Sequence, residues 1–491
     1  MPLMRLIAEN VGPFERLDID FSDGKGNPHR GPHILAGVNA SGKSTVLRAI
    51  AWALSWDNYG FPEEEWRHFL WAPKSRAIVH VAPEQGPPYL VAVTAGFDGW
   101  WEELQSLATS LGLPGLSDTT GDPRSTFADI AGLAHLTGVS GTTGNSLSGS
   151  YWGRFGEGAP PKKHPFTMCA YAPARSLSYV DTPAKMESLR RPSDDCLGFE
   201  STVQNRAIQR WLVDLFSRRA LAKERGQEFD SYEQTLTRFQ DALKLVCDDR
   251  EIRVDVELGP ILEPRVSFRG RKLNFSQLSD GIRTTMGWLA DFMMRQDHAG
   301  ATNGTKAAEE GILLLDEIDI YLHPRWQRTL LPAMKKALPN TQVIASSHSP
   351  FVISSCRDAR IHVLTLDERG VAHARPPQHA PFGESVTATL KDIFGVESRF
   401  DAQTESELKA WDNLKKGEAV GKLTQAKRKQ LETLSQELSE RSEELRLIVK
   451  APSTLPANVV SSFVGHPARK PLRARSPKGN GARTTRSAKL A

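Results

Sequence analysis

Residues 37–45 read "GVNASGKST". The apolar run "HILA" (33–36) precedes them and "VLRAIAWAL" (46–54) follows. The pattern G-x-x-x-x-G-K-[ST], placed after a strand and opening a helix, is a phosphate-binding loop in the context that confirms it. Gly37 and Gly42 let the backbone wrap closely. The amides of Asn39, Ala40, Ser41 and Thr45 and the helix N-terminus then point at anionic oxygens. Lys43 supplies a point charge for β- and γ-phosphates, and Ser44 places a hydroxyl on Mg²⁺. A chance glycine-rich turn is the bland alternative, and the partner motifs further along weigh against it.

The first partner is "LLLDEIDIYLHP" (313–324). A continuous apolar run suits a strand buried on both faces. Its carboxyl end opens at the ligand crevice of an α/β sheet. Asp316 is placed there to hold Mg²⁺, and Glu317 to orient or deprotonate the attacking water. Next comes "SSHSP" (346–350), ending the following strand, where His348 can reach a γ-phosphate. These residues imply ATP with Mg²⁺ as ligands, Glu317 and His348 as catalytic groups, and Ser44 and Asp316 as metal-holding groups.

The 491 residues exceed what one small domain needs, and 39% hydrophobic with 24% charged composition fits a globular chain. No apolar run approaches the ~18 residues that span a bilayer. The N-terminal stretch turns polar early, which speaks against a signal peptide. Cys169, Cys196, Cys247 and Cys356 lack metal spacing and read as scattered reduced thiols of a cytoplasmic protein. Net charge is +4, yet eight basic residues and no acid lie in 466–491, so the rest of the chain carries −4. Any grip on nucleic acid therefore belongs to a local patch or to that tail. A disordered solubilising tail is an equal reading.

The expected organisation is an ATPase domain over 1–380, a helical region over 381–450, and a basic disordered tail over 451–491. The domain carries a glycine-, serine- and threonine-rich mobile insertion at about 105–165 and a helical insertion at about 200–248. Residues 404–449 read as two charged amphipathic helices. Arg175, after the strand "FTMCAYA", reads equally as a surface arginine or as part of the nucleotide lobe. No residue can be placed as a Q-loop glutamine from the sequence, and Gln85 is a guess. Trp52, Trp56, Trp66, Trp71, Trp100 and Trp101 read as core of an antiparallel lobe ahead of base stacking.

"LSDGIRTT" (278–285) resembles the ABC-type ATPase signature in its L-S-x-G form. Coming after the phosphate loop and before the acid pair and the histidine, it identifies the chain as similar to ABC-type heads of the RecF, SMC and OLD group. The resemblance implies an α/β fold: an antiparallel β lobe, a RecA-like parallel-sheet lobe and a C-terminal helical extension. It also implies that Ser279, Asp280 and Gly281 face a nucleotide held by a second subunit, so that ATP joins a homodimer or higher oligomer. The helices at 200–248 are short for SMC arms. His323 stands where SMC relatives carry aspartate. With "PFGESVTATLKDIFGVESRFD" (381–401), this resembles the PtuA-like branch of Septu and retron defence ATPases. That branch implies a slow, switch-like ATPase acting as sensor and regulator of a separate HNH-type nuclease, with no nuclease of its own. A RecF-like repair ATPase and an ATP-bound scaffold remain the alternatives.

Overall fold

The computed structural model describes residues 3–54, 75–82, 89–95, 106, 110, 150–155, 167–178, 196–199, 202–259, 262–303, 310–396, 398 and 400–450. Gln85, five of the six tryptophans (all but Trp52) and the basic tail lie outside them. The chain forms two compact units, Met1–Gly395 and Val396–Ala491.

The first unit holds two large sheets. One is antiparallel, ordered β2 (Phe14–Asp20), β1 (Leu3–Val11), β4 (Ser75–Val81), β5 (Tyr89–Ala95) and β6 (Ser150–Phe155). The strand β6 falls inside the stretch expected to be a mobile insertion. Its "SYWGRF" is rich in residues that favour a pleated surface, and it pairs along the whole of β5. The other sheet runs β14 (Ala372–Ala374), β13 (Arg360–Leu366), β3 (His33–Gly37), β12 (Thr341–Ser346), β11 (Gly311–Leu315) and β7 (Thr167–Tyr171), with β15 (Gln378–His379) beside β13. The five strands from β13 to the edge strand β7 are parallel. Residues of β3, β7, β11 and β12 are buried throughout, with apolar centres and polar residues only near the strand ends.

Helix α1 (Lys43–Leu54) is buried along nearly its whole length and contacts strands of both sheets. From Ala49 to Leu54 it is apolar on every side, as a helix segment inside such a core must be. Trp52 is fully buried there, so the core reading of that residue holds. The sheets are also tied by one side chain: Gln342 on β12 accepts from Leu3 N–H at 2.9 Å and donates to Leu3 C=O at 3.0 Å.

Helices α2 (Asn205–Glu224) and α3 (Asp230–Val246) were expected as an insertion, but they add Ile208, Leu212, Phe239 and Leu243 to the main core. A small sheet follows, β8 (Arg253–Leu258), β9 (Leu262–Phe268) and β10 (Arg271–Leu273). Then come α4 (Asp280–Asn303), α5 (Pro324–Ala337), the single turn α6 (Pro350–Ile353) and α7 (Val386–Phe394). Asp291 and Arg295 form a fully buried ion pair one turn apart on α4. Tyr171 Oη donates to Asp291 at 2.9 Å, and Arg295 donates to Thr202 C=O. Breaking a buried pair of this kind strands one charge in the core.

The division between the units falls after Gly395, beyond residue 380, because α7 packs against α6 and β3. The second unit has three helices rather than two: α8 (Ala402–Ala419), α9 (Gln425–Arg441) and α10 (Glu443–Lys450). Ser442 is the reason. Its backbone is extended, and its Oγ accepts from Leu445 N–H at 3.1 Å, capping a new helix. Trp411, Leu431, Leu438 and Leu445 form the small core of this unit.

At the amino end of the parallel sheet, His33 on β3 and His362 on β13 are buried side by side, Nδ1 to Nε2 at 3.0 Å. Burial and the neighbouring His362 hold His33 well below the usual imidazole range. Burial pushes His362 down to about 3, with Asp20 opposing it and His29 and Arg360 adding to it. Both rings are thus neutral when folded, while the unfolded chain takes up their protons below about pH 6.5. The unfolded state then binds more protons, so stability is complete above that pH and falls as the solution is acidified towards the folded values. Thermal unfolding at pH 7.5 and pH 5.5 should show a fall in midpoint on acidification. His362→Gln should lower the midpoint at pH 7.5 and shrink that fall.

Candidate nucleotide site

The carboxyl ends of β3, β11 and β12 lie side by side, and each delivers one motif. From β3 comes the phosphate loop. Gly37, Ala40 and Gly42 have φ of 152°, 61° and 89°. A Cβ on Gly37 would stand 2.3 Å from Leu364 O, and one on Gly42 would stand 2.4 Å from the buried Phe14 ring. The two glycines are therefore required both by backbone sign and by space. Val46 N–H bonds Gly42 C=O at 2.9 Å, which starts α1. Lys43 reaches back across the loop, donating to Val38 C=O at 2.8 Å and Gly37 C=O at 3.1 Å. Burial lowers its pKa, and Asp316, Glu317 and Asp319 oppose that effect. Ser41 Oγ is buried with no hydrogen-bond partner among the described residues.

From β11 comes the acid pair. Asp316 is buried, and its Oδ1 accepts from Ser346 Oγ at 2.6 Å. That hydroxyl in turn accepts from Glu317 N–H at 2.7 Å. Glu317 itself has φ 45°, a left-handed conformation for a non-glycine residue. From β12 comes His348, whose N–H bonds Asp319 Oδ1 at 3.3 Å and whose ring lies nearly parallel to Phe394, 6.4 Å between centroids. Burial and the nearby Lys43 charge keep the imidazole below its usual pKa, so it is neutral near pH 7 and able to accept a hydrogen bond.

The turn after Glu317 is clamped by Gln327. Its amide donates to Asp319 C=O at 3.2 Å and Leu322 C=O at 2.9 Å, and its Oε1 accepts from Ser349 Oγ at 2.7 Å. His323 caps α5, its Nδ1 accepting from Arg325 N–H at 3.2 Å, with Pro324 in the first helical position. Gly281, at the start of α4, is packed so tightly on this turn that a Cβ would meet Tyr321 O at 2.7 Å. Ser279 C=O accepts from Arg283 N–H at 2.9 Å, and Asp280 pairs with Arg283 at 2.9 Å. The "LSDG" stretch thus opens a helix whose first turn leans on the turn behind the acid pair of its own subunit.

Arg175 is buried rather than on the surface. It donates to Ala172 C=O at 2.9 Å, to Asp316 C=O and to Glu317 C=O at 3.1 Å. Sequence reasoning had also left Ser346, Asp319 and Gln327 without a role. For Ser346 a signal existed: a lone hydroxyl closing an otherwise apolar strand beside the acid pair.

The donor set of hydroxyl and carboxylate oxygens suits Mg²⁺ rather than a softer ion. Among the described residues no cluster of three or more His, Cys, Asp or Glu stands ready to hold a metal alone. Ser44 and Asp316 are the residues that could hold such an ion together with substrate phosphates. The orphaned Ser41 hydroxyl and the left-handed loop fit an anion cradle.

The two sheets, with a phosphate loop, acid pair, histidine and a helix opening on "LSDG", have the arrangement that an ABC-type ATPase head is expected to show. Comparison with known proteins agrees with this class. Residues 210–354 match the family described as "AAA domain, putative AbiEii toxin, Type IV TA system", and residues 5–81 match one described as "AAA domain". The chain is 29% identical over 160 residues to the Retron Vc95 probable ATPase of Vibrio cholerae, covering 32% of this chain and 30% of that protein. It is 27% identical over 183 residues to Septu protein PtuA of Bacillus thuringiensis, covering 34% and 46%. With the Retron Ec83 probable ATPase of Escherichia coli, identity is 35% over 92 residues, covering 19% and 17%. The chain therefore spans less than half the length of each of these relatives. Two stretches of the chain thus match AAA-domain families, and parts of it are similar to the Septu and retron ATPases. Among solved structures, an SMC head bound to the C-terminal winged-helix domain of ScpA aligns over 77% of this chain and 98% of its own, at 15% identity and a TM-score of 0.42. At that distance the likeness carries no functional inference.

Gly42→Ala should displace either Phe14 or the loop. Its expected effect is a lowered unfolding midpoint and at least ~10-fold weaker binding of a fluorescent ATP analogue. Gly24→Ala also has positive φ, but open space around it, and should leave that affinity unchanged.

Proposed function

We propose that the chain binds and hydrolyses ATP, dimerises around it, and acts as sensor and regulator of a separate nuclease in anti-phage defence of the Septu or retron type. The observation that carries this reading is the acid pair, buried Asp316 and left-handed Glu317, held at a strand end beside the phosphate loop. In the bound state Gly37, Asn39, Ala40, Ser41, Gly42, Lys43 and Thr45 cradle the phosphates, and Ser44 and Asp316 hold Mg²⁺. The metal supplies charge neutralisation across the β- and γ-phosphates. Glu317 orients and deprotonates the attacking water, and neutral His348 reads whether the γ-phosphate is present. Ser279, Asp280 and Gly281 meet the nucleotide of a second subunit, where a helix N-terminus favours anionic oxygens.

Similarity to the retron and Septu ATPases supports the defence setting. A separate HNH-type nuclease is the partner such a chain would restrain or release. Among the described residues no helix is long and apolar enough to cross a membrane, and the four cysteines are buried and form no disulfide, which supports a reducing cytoplasm. Hydrolysis in this setting is slow, because the nucleotide state is the signal. The basic tail offers a grip on nucleic acid or on the nuclease.

Glu317→Gln should keep ATP binding and lower turnover by about 10²–10⁴-fold. It should also accumulate an ATP-dependent dimer in light scattering. Co-purification of the untagged neighbouring gene product, followed by mass measurement, should yield a nuclease-containing complex. A monomer in saturating ATP, or a wild type no faster than Glu317→Gln, would remove the dimer or the hydrolase from this proposal.

A further inference from the structure

Glu317 occupies a backbone conformation that costs free energy for any residue with a Cβ, so something must impose it. Four backbone groups surround the residue, and two residues, Ser346 and Arg175, engage them. Its own N–H donates to Ser346 Oγ at 2.7 Å, and the next N–H, of Ile318, donates to Ser346 C=O at 3.0 Å. The carbonyl before it, Asp316 C=O, and its own carbonyl both accept from Arg175, one from each terminal nitrogen of the guanidinium. A planar fork can bridge two successive carbonyls in this way, whereas an ammonium is a point donor. Arg175 is 2% exposed, and the acids Asp316, Asp319 and Glu317 favour its charge against the cost of burial.

The segment carrying Arg175 is in turn fastened to α4. Leu177 N–H bonds Arg283 C=O at 3.0 Å, and Ser176 Oγ lies 3.1 Å from Thr284 Oγ1. Gly287 on α4 lets the two backbones touch: a Cβ there would stand 2.1 Å from Arg175 O. One end of α4 therefore rests on the turn after Glu317, through Gly281 and Tyr321 O, and its next turns rest on the segment that holds Glu317 in place.

We propose that Arg175 is the positioning residue for Glu317, and that the segment 172–177 carries the placement of the signature helix α4 to the hydrolytic site of the same subunit. This rests on the reading of Glu317 as the hydrolytic carboxylate. A signature helix drawn towards a partner's nucleotide would then set Glu317 in its own site without any residue crossing between the sites. Arg175 touches neither substrate nor water in this scheme. It acts through the backbone of Asp316 and Glu317.

The test uses the full chain, with ATP turnover, affinity for a fluorescent ATP analogue and thermal unfolding measured for Arg175→Lys, Glu317→Gln and the double variant. Arg175→Lys keeps the charge and loses the fork. It should lower kcat by ~10- to 100-fold, the scale that a misplaced catalytic group produces. KM and analogue affinity should stay within about threefold of wild type. The double variant should be no slower than Glu317→Gln alone, because both changes disable one group. A folded Arg175→Lys with wild-type kcat overturns the proposal, as does equal loss of kcat and affinity, or an additive double variant. Should Arg175→Lys not fold, Ser176→Ala decides: several-fold lower kcat at unchanged KM supports the link to α4, and unchanged kcat overturns it. A Glu317→Gln variant as fast as wild type instead removes the hydrolytic reading itself, whatever Arg175 variants do.

Discussion

Helix α1 gives water little beyond Ser44, Thr45 and Arg48, and the rest of the first unit is arranged around that fact. Val46, Leu47, Ile50, Trp52 and Leu54 are all fully buried, so sheets must cover the helix on opposite sides. Each such side chain contributes about 1.5–3 kcal/mol when fully removed from water. The helix is thereby fixed along its length, and the phosphate loop at its N-terminus is fixed with it. An anion site made of backbone amides needs this rigidity, because amides that reorient on binding lose much of their advantage.

The parallel sheet solves the second problem, which is bringing three distant segments to one edge. Strands β3, β12 and β11 are neighbours, and residues 37, 316 and 348 follow their carboxyl ends. Around this edge the side chains form layers. Lys43, Asp316, Glu317 and His348 are the groups proposed to carry the chemistry. Ser346, Arg175 and Gln327 hold backbone rather than ligand. The last three spend their hydrogen bonds on carbonyls, amides and hydroxyls of the motif turns, with Ser346 also donating to the Asp316 carboxylate.

Much of this was legible in the sequence because it is written locally. A glycine-rich loop between a strand and a helix, or an apolar run ending in two acids, carries its structural context within a dozen residues. The Leu-His-Pro after the acid pair was legible in part. Pro324 is the first helical residue as expected, while His323 also proved to be the helix cap. The partners of Arg175 were not legible, since 141 and 142 residues separate it from the carbonyls it holds and no local pattern marks a buried fork. The division of the second unit into three helices turned on one serine whose hydroxyl outcompeted a continuing helix, a balance of about 1 kcal/mol that composition does not reveal. The strand β6 was missed because the glycines and serines before it dominate the local composition.

The side chain of Gln342 binds the backbone of Leu3 across 339 residues of sequence. This has a consequence for biosynthesis. At ordinary translation speeds of about 5–20 residues per second, the first strand waits on the order of 15–70 s for the residue that fastens it. Strand β3 waits nearly as long for both of its neighbours. During that interval α1 can gain cover from the antiparallel strands but not from β12, and β3 has no neighbour, so part of the apolar surface stays exposed until most of the chain has emerged. A transcript cut short before β12 would give a polypeptide with an intact phosphate-loop sequence and no sheet to hold it. The order of strands thus makes nucleotide binding a late event in the life of each new chain, and ties it to near-complete synthesis.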